Sequence, residues 1–542
     1  MKGRTSWGLA VLTVSFIWLL ACPEFISAQS FSRLKPLPPK KNYASAIVAA
    51  ASAAALPLSP SWQLLTNQPP VLNYAACGPG NPLLLTDGTV MMADDGCQDW
   101  WKLTPNEFGN YVNGTWTQLA SLPSGYSPLY HSSAVLPDGR VIIMGGEYNF
   151  GTPVWTNLGA IYDPLTDVWT PLNPPTGWTT IGDSQSVVLF NGTFMQANCC
   201  TTQAALLDPT TLTWTPTGAG KFDVNDEEGW TLLPNQQVLA VDAYVFQYDP
   251  TGMNSEVYVP ASGKWHSAGS TVVQLWDSAA DCGGKEFASF ELGPAILRPD
   301  GTVFYTGANR CGPGHTAIYN SNNGTWAAGP DFPVLANCPY PPAYCGLNIA
   351  DGPAALLPNG NVLVDTSPFI FTPPTAFFEF DGTNLNPVPG PPNASIATSY
   401  YGNMLVLPTG QILFADFIAV SVYNPTGTYN PAWAPRIQNA PSTVRPGGSY
   451  VISGHLFNGV SQGAAYGDDH QSATNYPLVR ITNNVTGHVF YSRTHDHSSM
   501  AVAFGGLVST TFDVPASQEP GPSELVVIAN GIPSAPVAVT VE

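Results

Sequence analysis

Apolar and polar residues alternate in short runs along most of the chain, and tight-turn sequences separate the runs. From residue 80 onward one unit recurs: an apolar strand, a turn of the Asp-Gly or Asn-Gly kind, and a second apolar strand. The seven turns are Asp87-Gly88, Asp138-Gly139, Asn191-Gly192, Asn235-Gln236, Asp300-Gly301, Asn359-Gly360 and Thr409-Gly410. Their spacing of roughly 45 to 65 residues suits one four-stranded blade each, so the pattern predicts seven blades of a β-propeller.

A second signature follows most of these hairpins and consists of an aromatic strand, a polar turn and a tryptophan. It is seen in Ala160-IYDPLTDVWTPL, Ala204-ALLDPTTLTWTP and Thr316-AIYNSNNGTWAAG, and it is typical of the outer strands of kelch-type blades. Because one blade buries only one face, its neighbours must stack against it. We therefore interpret these tryptophans as packing between blades rather than as ligand-binding residues.

The repeat stops after Asn424-Pro425, and alternating strands with Pro-Gly turns follow, as in Arg445-PGGSYVISG. Such strands favour one β-sandwich. The predicted fold class is all-β: a seven-bladed kelch-type β-propeller over residues 61–432, followed by an immunoglobulin-like β-sandwich over residues 433–542. Composition agrees, because 51 Gly and 53 Pro with only 10% charged residues are typical of a turn-rich β protein.

The N-terminus has the layout of a secretory signal peptide, with Lys2 and Arg4 before an apolar run and small residues before Gln29. We predict a signal peptide over residues 1–28, a linker with little order over residues 29–60, and a secreted protein. The alternative is a lipid anchor, because Leu19-Leu20-Ala21-Cys22 resembles a lipobox in which Cys22 is lipidated. No later segment is apolar for long enough to span a bilayer.

Eight cysteines follow the predicted signal peptide, an even number that favours disulfides in an exported chain. Local spacing predicts the pairs Cys77–Cys97, Cys282–Cys311 and Cys338–Cys345. The adjacent Cys199 and Cys200 either form a vicinal ring or bond elsewhere. A zinc site is the competing interpretation, although the chain has no CxxC pair.

The charge of the chain limits its partners. Lys and Arg number 17 against 37 Asp and Glu, which gives a net charge of −20. A nucleic-acid backbone would be repelled over most of such a surface. We therefore expect no nucleic-acid partner. As a separate expectation, the protein is a monomer.

Candidate functional residues gather where the chain enters the inner strand of each blade, because these entrances converge on one axial mouth. The converging residues are Tyr130, His131, Asp183, Glu227, Glu228, Glu291, Asp351, Tyr400 and Tyr401. We interpret Asp183, Glu228, Glu291, Asp351 and Tyr401 as candidate ligand-binding residues at the mouth. The alternative is that blade entrances simply need polar caps.

One histidine pair stands out in Arg493-THDHSSM, where His495 and His497 lie two residues apart and would share one face of a strand. Two imidazoles on one face bind copper or zinc if a third ligand approaches, and His131 or a tyrosinate such as Tyr400 would supply it. The competing interpretation is an exposed polar pair on a strand.

With these motifs in place, the sequence from about residue 75 onward resembles the galactose oxidase and glyoxal oxidase family. The resemblance implies a kelch propeller with an early-set immunoglobulin-like domain whose C-terminal hairpin brings a Thr-His into the propeller centre, where copper is bound. It aligns Tyr130 with the family's cross-linked tyrosine, Tyr400 with its axial tyrosine and His495 with its inserted histidine. The nearest candidate for the cross-linking cysteine is Cys77, and Tyr401 replaces the histidine expected after Tyr400.

Two functions follow as hypotheses. The first is a secreted propeller protein that binds carbohydrate or a cell-surface partner at the axial mouth. The second is a copper-dependent extracellular oxidase of alcohols or aldehydes that produces hydrogen peroxide with an altered ligand set. The strings Leu85-TDGT, Thr494-HDHS and Val527-IANGIPS are similar to those of many secreted bacterial proteins and predict a divergent bacterial-type branch.

Overall fold

The computed structural model describes residues 59–70, 77–245, 252–283 and 287–542. The signal peptide, the lipid-anchor alternative at Cys22 and nearly all of the linker lie outside the described residues. Within them the regular structure is β-strand, apart from short 3-10 helices at Ala280–Cys282, Pro342–Tyr344, Ser399–Tyr401 and Pro431–Trp433. None of the helices in this part of the chain has the length and apolar composition needed to cross a membrane.

Seven antiparallel blades of four strands each form the described part of the propeller, and the sheet of blade 6 is extended by two further strands. This arrangement confirms the predicted fold class. From the innermost strand outward, blade 1 is Gly78–Leu84, Val90–Asp95, Trp100–Thr104 and Thr115–Gln118; blade 2 is Ser132–Val135, Val141–Met144, Gly159–Asp163 and Val168–Pro171; blade 3 is Ser186–Val188, Phe194–Ala197, Ala204–Asp208 and Thr213–Thr217; and blade 4 is Thr231–Leu232, Val238–Val241, Asn254–Val259 and Lys264–Ser270.

The remaining blades follow the same order. Blade 5 is Ala295–Leu297, Thr302–Thr306, Thr316–Asn320 and Thr325–Ala328; blade 6 is Pro353–Leu356, Val362–Pro368, Ala376–Phe380 and Leu385–Val388, with Leu347–Asn348 paired beside it; and blade 7 is Asn403–Val406, Ile412–Ala415, Val420–Asn424 and Ser61–Leu64. A small sheet of Pro128–Leu129, Tyr148–Asn149 and Thr152–Pro153, the rim sheet, lies beside the entrance to blade 2.

The ring closes within blade 7. Its outermost strand, Ser61–Leu64, comes from the start of the described chain and pairs antiparallel with Val420–Asn424, with Ser61 opposite Asn424. Closure in this way ties the start of the described chain to the last blade, so the first and last repeats are held together by backbone hydrogen bonds.

The repeated tryptophans join neighbouring blades. Four indole N–H groups donate to backbone carbonyls in or just after the outer strand of the preceding blade: Trp116 to Asn67, Trp169 to Ala120, Trp214 to Asn173 and Trp326 to Ala268. The rings are buried or half-buried against the blade cores. The tryptophans therefore pack between blades, as their sequence pattern predicted.

The C-terminal domain is a sandwich of two strand layers. Its strands are Arg436–Asn439, Thr443–Val444, Ser449–His455, Leu478–Asn483, Val489–His495, Leu507–Asp513, Gly521–Ala529, Ile532–Pro533 and Val537–Val541. Val489–His495 pairs with strands of both layers, through Ser492 opposite Val479 and Arg493 opposite Asp513. Buried Ile452 and Phe512 pack in one core with side chains from the other layer.

One segment of this domain, residues 456–477, leaves the sandwich and enters the propeller; we call it the axial segment. Its strand Ala464–Tyr466 pairs with Pro353–Leu356, the innermost strand of blade 6. Gln462 accepts from the Leu232 N–H of blade 4, and Ser472 donates to the Pro82 carbonyl of blade 1. A segment that contacts inner strands on several sides of the ring lies along its axis.

The sandwich lies at the hairpin end of the propeller. The Thr494 N–H donates to Thr86, the His497 N–H to Pro137 and the Met500 N–H to Phe190, all in hairpins of blades 1 to 3. Because the inner strands run from the mouth to these hairpins, the starts of the strands lie at the opposite end. The axial segment therefore carries residues of the last domain from one end of the ring toward the other.

Candidate metal centre at the propeller axis

Three potential metal ligands from different elements meet at the axis. Asp95 ends the second strand of blade 1, His131 directly precedes the inner strand of blade 2, and His470 belongs to the axial segment. One ligand atom from each lies within 4.8 Å of the others, and all three side chains are buried. Two imidazoles and a carboxylate form a donor set that suits a transition metal.

The donor atoms of the two histidines face the same carboxylate. His131 Nδ1 lies 4.0 Å from Asp95 Oδ1, and His470 Nε2 lies 3.9 Å from Asp95 Oδ2. The two imidazole rings meet edge to face, with their centroids 5.1 Å apart. These separations are too long for hydrogen bonds. The gap between these atoms is the space that an ion coordinated by all three groups would occupy.

Two asparagines hold the histidines. The Nδ1–H of His470 donates to Asn403 Oδ1 at 3.0 Å, which leaves Nε2 with the lone pair that faces Asp95. Asn81 Nδ2 lies 2.9 Å from His131 Nε2, and the Asn81 backbone N–H donates to Asn403. Outer groups of this kind fix the orientation of imidazole rings at metal sites. Because an amide nitrogen donates, this contact places the proton of a neutral His131 on Nδ1, so ligation through Nδ1 requires the Asn81 amide to turn and accept from Nε2–H. His131 Nδ1, on the other side of the ring, has no hydrogen-bond partner among the described residues.

The electrostatics of the site favour a cation. Burial lowers the pKa of His131 well below its usual value, and neighbouring His470 lowers it further. Burial also raises the pKa of Asp95 well above its usual value, and the charges of Asp469 and Asp94 add to this effect. A bound cation would stabilise the metal-binding forms of both groups, the neutral imidazole and the carboxylate.

Tyrosines surround this cluster. The Tyr130 ring packs edge to face on Tyr148 of the rim sheet and lies 6.5 Å from the His470 ring, measured between centroids. Tyr400 contacts Tyr401, with their ring centroids 4.5 Å apart, and its carbonyl accepts a hydrogen bond from Tyr466 Oη. Burial, followed by the charge of Tyr401, raises the pKa of Tyr400, so its phenol is protonated at neutral pH.

The structure places His495 and His497 away from the axis. Both lie where the sandwich meets the hairpins, and His495 pairs with Asp496 at 2.8 Å and with Asp513 at 3.2 Å. His497 Nδ1 bonds to Thr510 Oγ1. The two side chains therefore do not join His131 or Tyr400. The histidine of the last domain that lies at the axis is His470 instead of His495.

Cys77 does not reach Tyr130 as a thioether partner. It forms a disulfide with Cys97, and Cys282–Cys311 and Cys338–Cys345 are paired as well. The three local disulfides predicted from spacing are thus present. The Cys77–Tyr130 cross-link implied by the resemblance is corrected, because a sulfur bonded to Cys97 has no valence left for it.

The candidate ligand-binding residues predicted at the mouth are buried within the propeller. Asp183, Glu228, Glu291, Asp351 and Tyr401 stand at the starts of their blades as expected, but all are buried. Glu228 pairs with buried Lys221 at 2.9 Å, together with Asp223, Asp242 and Glu256. Asp351 shares a cluster with Glu227 and with Asp468 of the axial segment. These groups line the interior instead of presenting an open acidic rim.

Two of the three clustered ligands, Asp95 and His470, were not among the sequence candidates. The signal for His470 was the polar stretch Tyr466-GDDHQSATNY, which interrupts the strand alternation of the last domain. Asp95 ends a strand just after Asp94 and has no motif of its own. Their proximity depends on the path of the axial segment, which hydrophobic periodicity does not report.

The fold and its repeats define this chain as a kelch-type seven-bladed propeller protein in which one segment of a C-terminal sandwich enters the ring. A model of the Kelch motif matches residues 128–176. The chain is 29% identical over 132 residues to the "Kelch-like protein terF" of Aspergillus terreus. That match covers 23% of this chain and 26% of the relative, so it spans only about a quarter of the relative's length.

Two solved structures align with much of this chain. A fungal alcohol oxidase of the AA5 family in complex with copper is 13% identical, with 89% of this chain and 98% of that chain covered and a TM-score of 0.45. YCF48 bound to D1 peptide is 10% identical, with 69% and 99% covered and a TM-score of 0.41.

Proposed function

We propose that this protein is an exported metalloprotein of oxidase type that holds one transition-metal ion, copper in the first instance, at the propeller axis. One observation carries the proposal: His131, His470 and Asp95 arrive from two blades and the axial segment, are buried, and offer donor atoms within 4.8 Å of one another. A bound copper ion would supply one-electron redox chemistry. Because oxidation of an alcohol or aldehyde removes two electrons, a tyrosine such as Tyr130 would supply the second oxidising equivalent, and dioxygen would take up both electrons as hydrogen peroxide. The proposed substrates are small alcohols or aldehydes.

The donor set suits a copper ion. A thioether between Cys77 and Tyr130 is excluded, because Cys77 is bonded to Cys97. The chain's own residues hold the ligands in place. Asn403 orients His470, Asn81 contacts His131, and the ring of Tyr130 lies against that of His470. Buried side chains exclude bulk water from this end of the axis. The proposed reaction therefore relies on an altered ligand set without the cross-link.

Export is part of the proposal. Three disulfides within the described residues support it, because such bonds persist in oxidising compartments. The signal peptide, the lipid anchor at Cys22 and the bacterial-type branch stay predictions. Edman sequencing or mass analysis of the mature N-terminus distinguishes a chain that starts at Gln29 from one that starts at a lipidated Cys22.

The test of the metal centre is direct. Purified protein is loaded with copper, dialysed, and analysed for metal content, for nitrogen coupling in the electron paramagnetic resonance spectrum, and for peroxide release with primary alcohols and aldehydes. We expect one copper per chain with imidazole ligation. Substoichiometric copper without nitrogen coupling would refute the metal centre, and full copper without peroxide would refute only the oxidase activity.

Glycan or cell-surface binding at the mouth is the second candidate. The observation that favours it is Phe150, which is 54% exposed at the tip of the rim sheet, beside the strand that leads to Tyr130. An exposed aromatic face stacks on sugar rings. Titration with soluble oligosaccharides, in wild type and Phe150→Ala, tests this candidate; binding that survives the substitution unchanged contradicts the assigned surface.

Removal of the asparagine that orients His470 is expected to weaken the metal site. Asn403→Ala deletes the acceptor of the His470 Nδ1–H, so the ring loses its fixed orientation and copper affinity falls by about tenfold to a hundredfold. Competition titration with a copper chelator measures the effect. Asn384→Ala, at an exposed turn of blade 6, is the control and leaves affinity unchanged; equal affinities in the two variants would contradict the role of Asn403.

A further inference from the structure

Two adjacent cysteines form an unusual turn at the mouth end of blade 3. Cys199 and Cys200 follow the strand Phe194–Ala197, and their Sγ atoms lie 2.7 Å apart. This separation is little longer than a disulfide bond of about 2.05 Å. Successive side chains of an extended strand point to opposite faces. The backbone must turn to bring these two together, and Cys200 accordingly has a φ of 64°.

The turn is held by hydrogen bonds on both sides. The Cys199 N–H donates to the Ile181 carbonyl at 2.9 Å, and the Cys200 N–H donates to the Asn225 carbonyl at 2.9 Å. The Thr201 N–H closes the turn on Asn198. These contacts fix both backbone positions before any bond forms between the sulfurs. Close approach of the thiols is therefore a property of the folded backbone.

The other described cysteines do not compete with Cys199 and Cys200 for a disulfide. The other six cysteines there are already joined in three disulfides, while Cys199 and Cys200 are not joined to any of them. Cys199 is buried, and Cys200 is partly exposed. An oxidant thus reaches Cys200 first, and the neighbouring Cys199 is the group that resolves the intermediate.

We propose that the mature protein carries a vicinal disulfide between Cys199 and Cys200. The oxidant is the disulfide of a thiol oxidoreductase or of a small molecule such as oxidised glutathione. The Cys200 thiolate attacks that disulfide and releases one thiol; Cys199 then attacks the mixed disulfide and releases the second. Two electrons pass to the oxidant, and the two protons lost by the cysteines appear on the released thiols.

The surroundings disfavour a thiolate site for a soft metal at the same position. Burial raises the pKa of Cys199 well above its usual value, and Cys200 and the carboxylate of Asp226 raise it further. Asp226 Oδ1 lies 3.6 Å from Cys199 Sγ. Metal ligation needs both cysteines as thiolates, whereas a disulfide replaces the two thiols by a neutral group that the nearby carboxylates do not oppose.

Backbone hydrogen bonds link the cysteine turn to the entrance of blade 2. The Ile181 carbonyl that accepts from Cys199 is followed by Gly182, whose carbonyl accepts from the Gly146 N–H at 2.7 Å. The next residue, Glu147, donates its N–H to the Tyr130 carbonyl at 3.1 Å. A bond between the two sulfurs therefore stiffens a loop that is linked through backbone hydrogen bonds to the segment carrying Tyr130 and His131.

The experiment uses intact full-length protein isolated without reductant, denatured in the presence of N-ethylmaleimide and examined by mass spectrometry. We expect no maleimide adduct on Cys199 or Cys200 and a peptide that is two hydrogens lighter than its reduced form. Cys199→Ser and Cys200→Ser should each gain one adduct, on the remaining cysteine. The double variant should gain none and still contain the other three disulfides.

A reductant titration gives a second readout. Adjacent Cα atoms are about 3.8 Å apart, closer than in ordinary disulfides, so the ring is strained and reduces early. We expect half-reduction at roughly a tenfold lower ratio of reduced to oxidised dithiothreitol than for Cys282–Cys311, a difference of about 30 mV.

Three outcomes would overturn the proposal. They are two maleimide adducts at these positions after incubation with oxidised glutathione, a linkage of either cysteine to a different cysteine, and stoichiometric copper or zinc that disappears in Cys199→Ser. None of these outcomes bears on the axial metal centre, which is tested separately through His470.

Discussion

Replacement of His470 is expected to abolish stable copper binding at the propeller axis. His470→Ala removes one of two imidazole ligands, and His470→Gln keeps most of the side-chain volume and an amide hydrogen that Asn403 accepts. Loss of an outer-shell partner lowers metal affinity by tenfold to a hundredfold, so loss of a ligand should exceed about a hundredfold. Chelator competition and the nitrogen coupling in the resonance spectrum measure the change.

The control is another histidine from the same domain. His495→Ala changes the residue that the sequence motif singled out, but its side chain lies at the sandwich end, paired with Asp496 and Asp513. It should bind copper like wild type. Copper at a hundredfold excess over the dissociation constant should stabilise wild type and His495→Ala by about 2.7 kcal/mol, but neither His470 variant. The reverse order, with His495→Ala defective, would refute the axial site.

Replacement of Lys221 is expected to cause the largest loss of stability. Its ammonium is buried among Asp223, Glu228, Asp242 and Glu256, with the last at 2.9 Å. Lys221→Met leaves these carboxylates without their cation, and breaking a buried ion pair in this way costs about 3 to 5 kcal/mol. Lys264→Met on the exposed outer strand of the same blade is the control and should change stability little.

The pH dependence of the Lys221→Met variant follows from the same cluster. Burial lowers the pKa of Lys221, but the four carboxylates raise it more, so that it stands well above its usual value and the wild-type ion pairs persist to alkaline pH. Burial raises the pKa of Glu228 and Asp242 even with the lysine present. Without Lys221, the pKa values of Glu228 and Asp242 in the folded state rise further above their values in the unfolded state. The variant should therefore lose stability as pH rises and regain it as pH falls.

Thermal unfolding midpoints of Lys221→Met and wild type between pH 5 and pH 8 test this sign. Addition of Glu228→Gln and Asp242→Asn removes two of the uncompensated charges and should recover part of the loss even if the single variant folds poorly. A midpoint for Lys221→Met equal to that of Lys264→Met, or a deficit that grows toward acid pH, would contradict the role of the cluster.

Local sequence explains most of the fold. The turn residues Asp138-Gly139 or Asn359-Gly360 supply positive φ where hairpins need it, since Gly139 and Gly360 have φ values of 86° and 90°. Each tryptophan of the outer strands then meets the preceding blade. Short loops between cysteines also limited their partners, so the three local disulfides followed from spacing.

The chain's own sequence thus determined the repeat number, the two kinds of domain, the local disulfides and the convergence of blade entrances, because each rests on residues that are close together in sequence. Only the tertiary structure decided the ligand set. His470 lies 339 positions after His131 and meets it because the axial segment leaves the sandwich and pairs with blade 6. The prominent His495-Asp-His497 motif stays at the other end, since alternation specifies which face a side chain occupies but not where a long insertion ends.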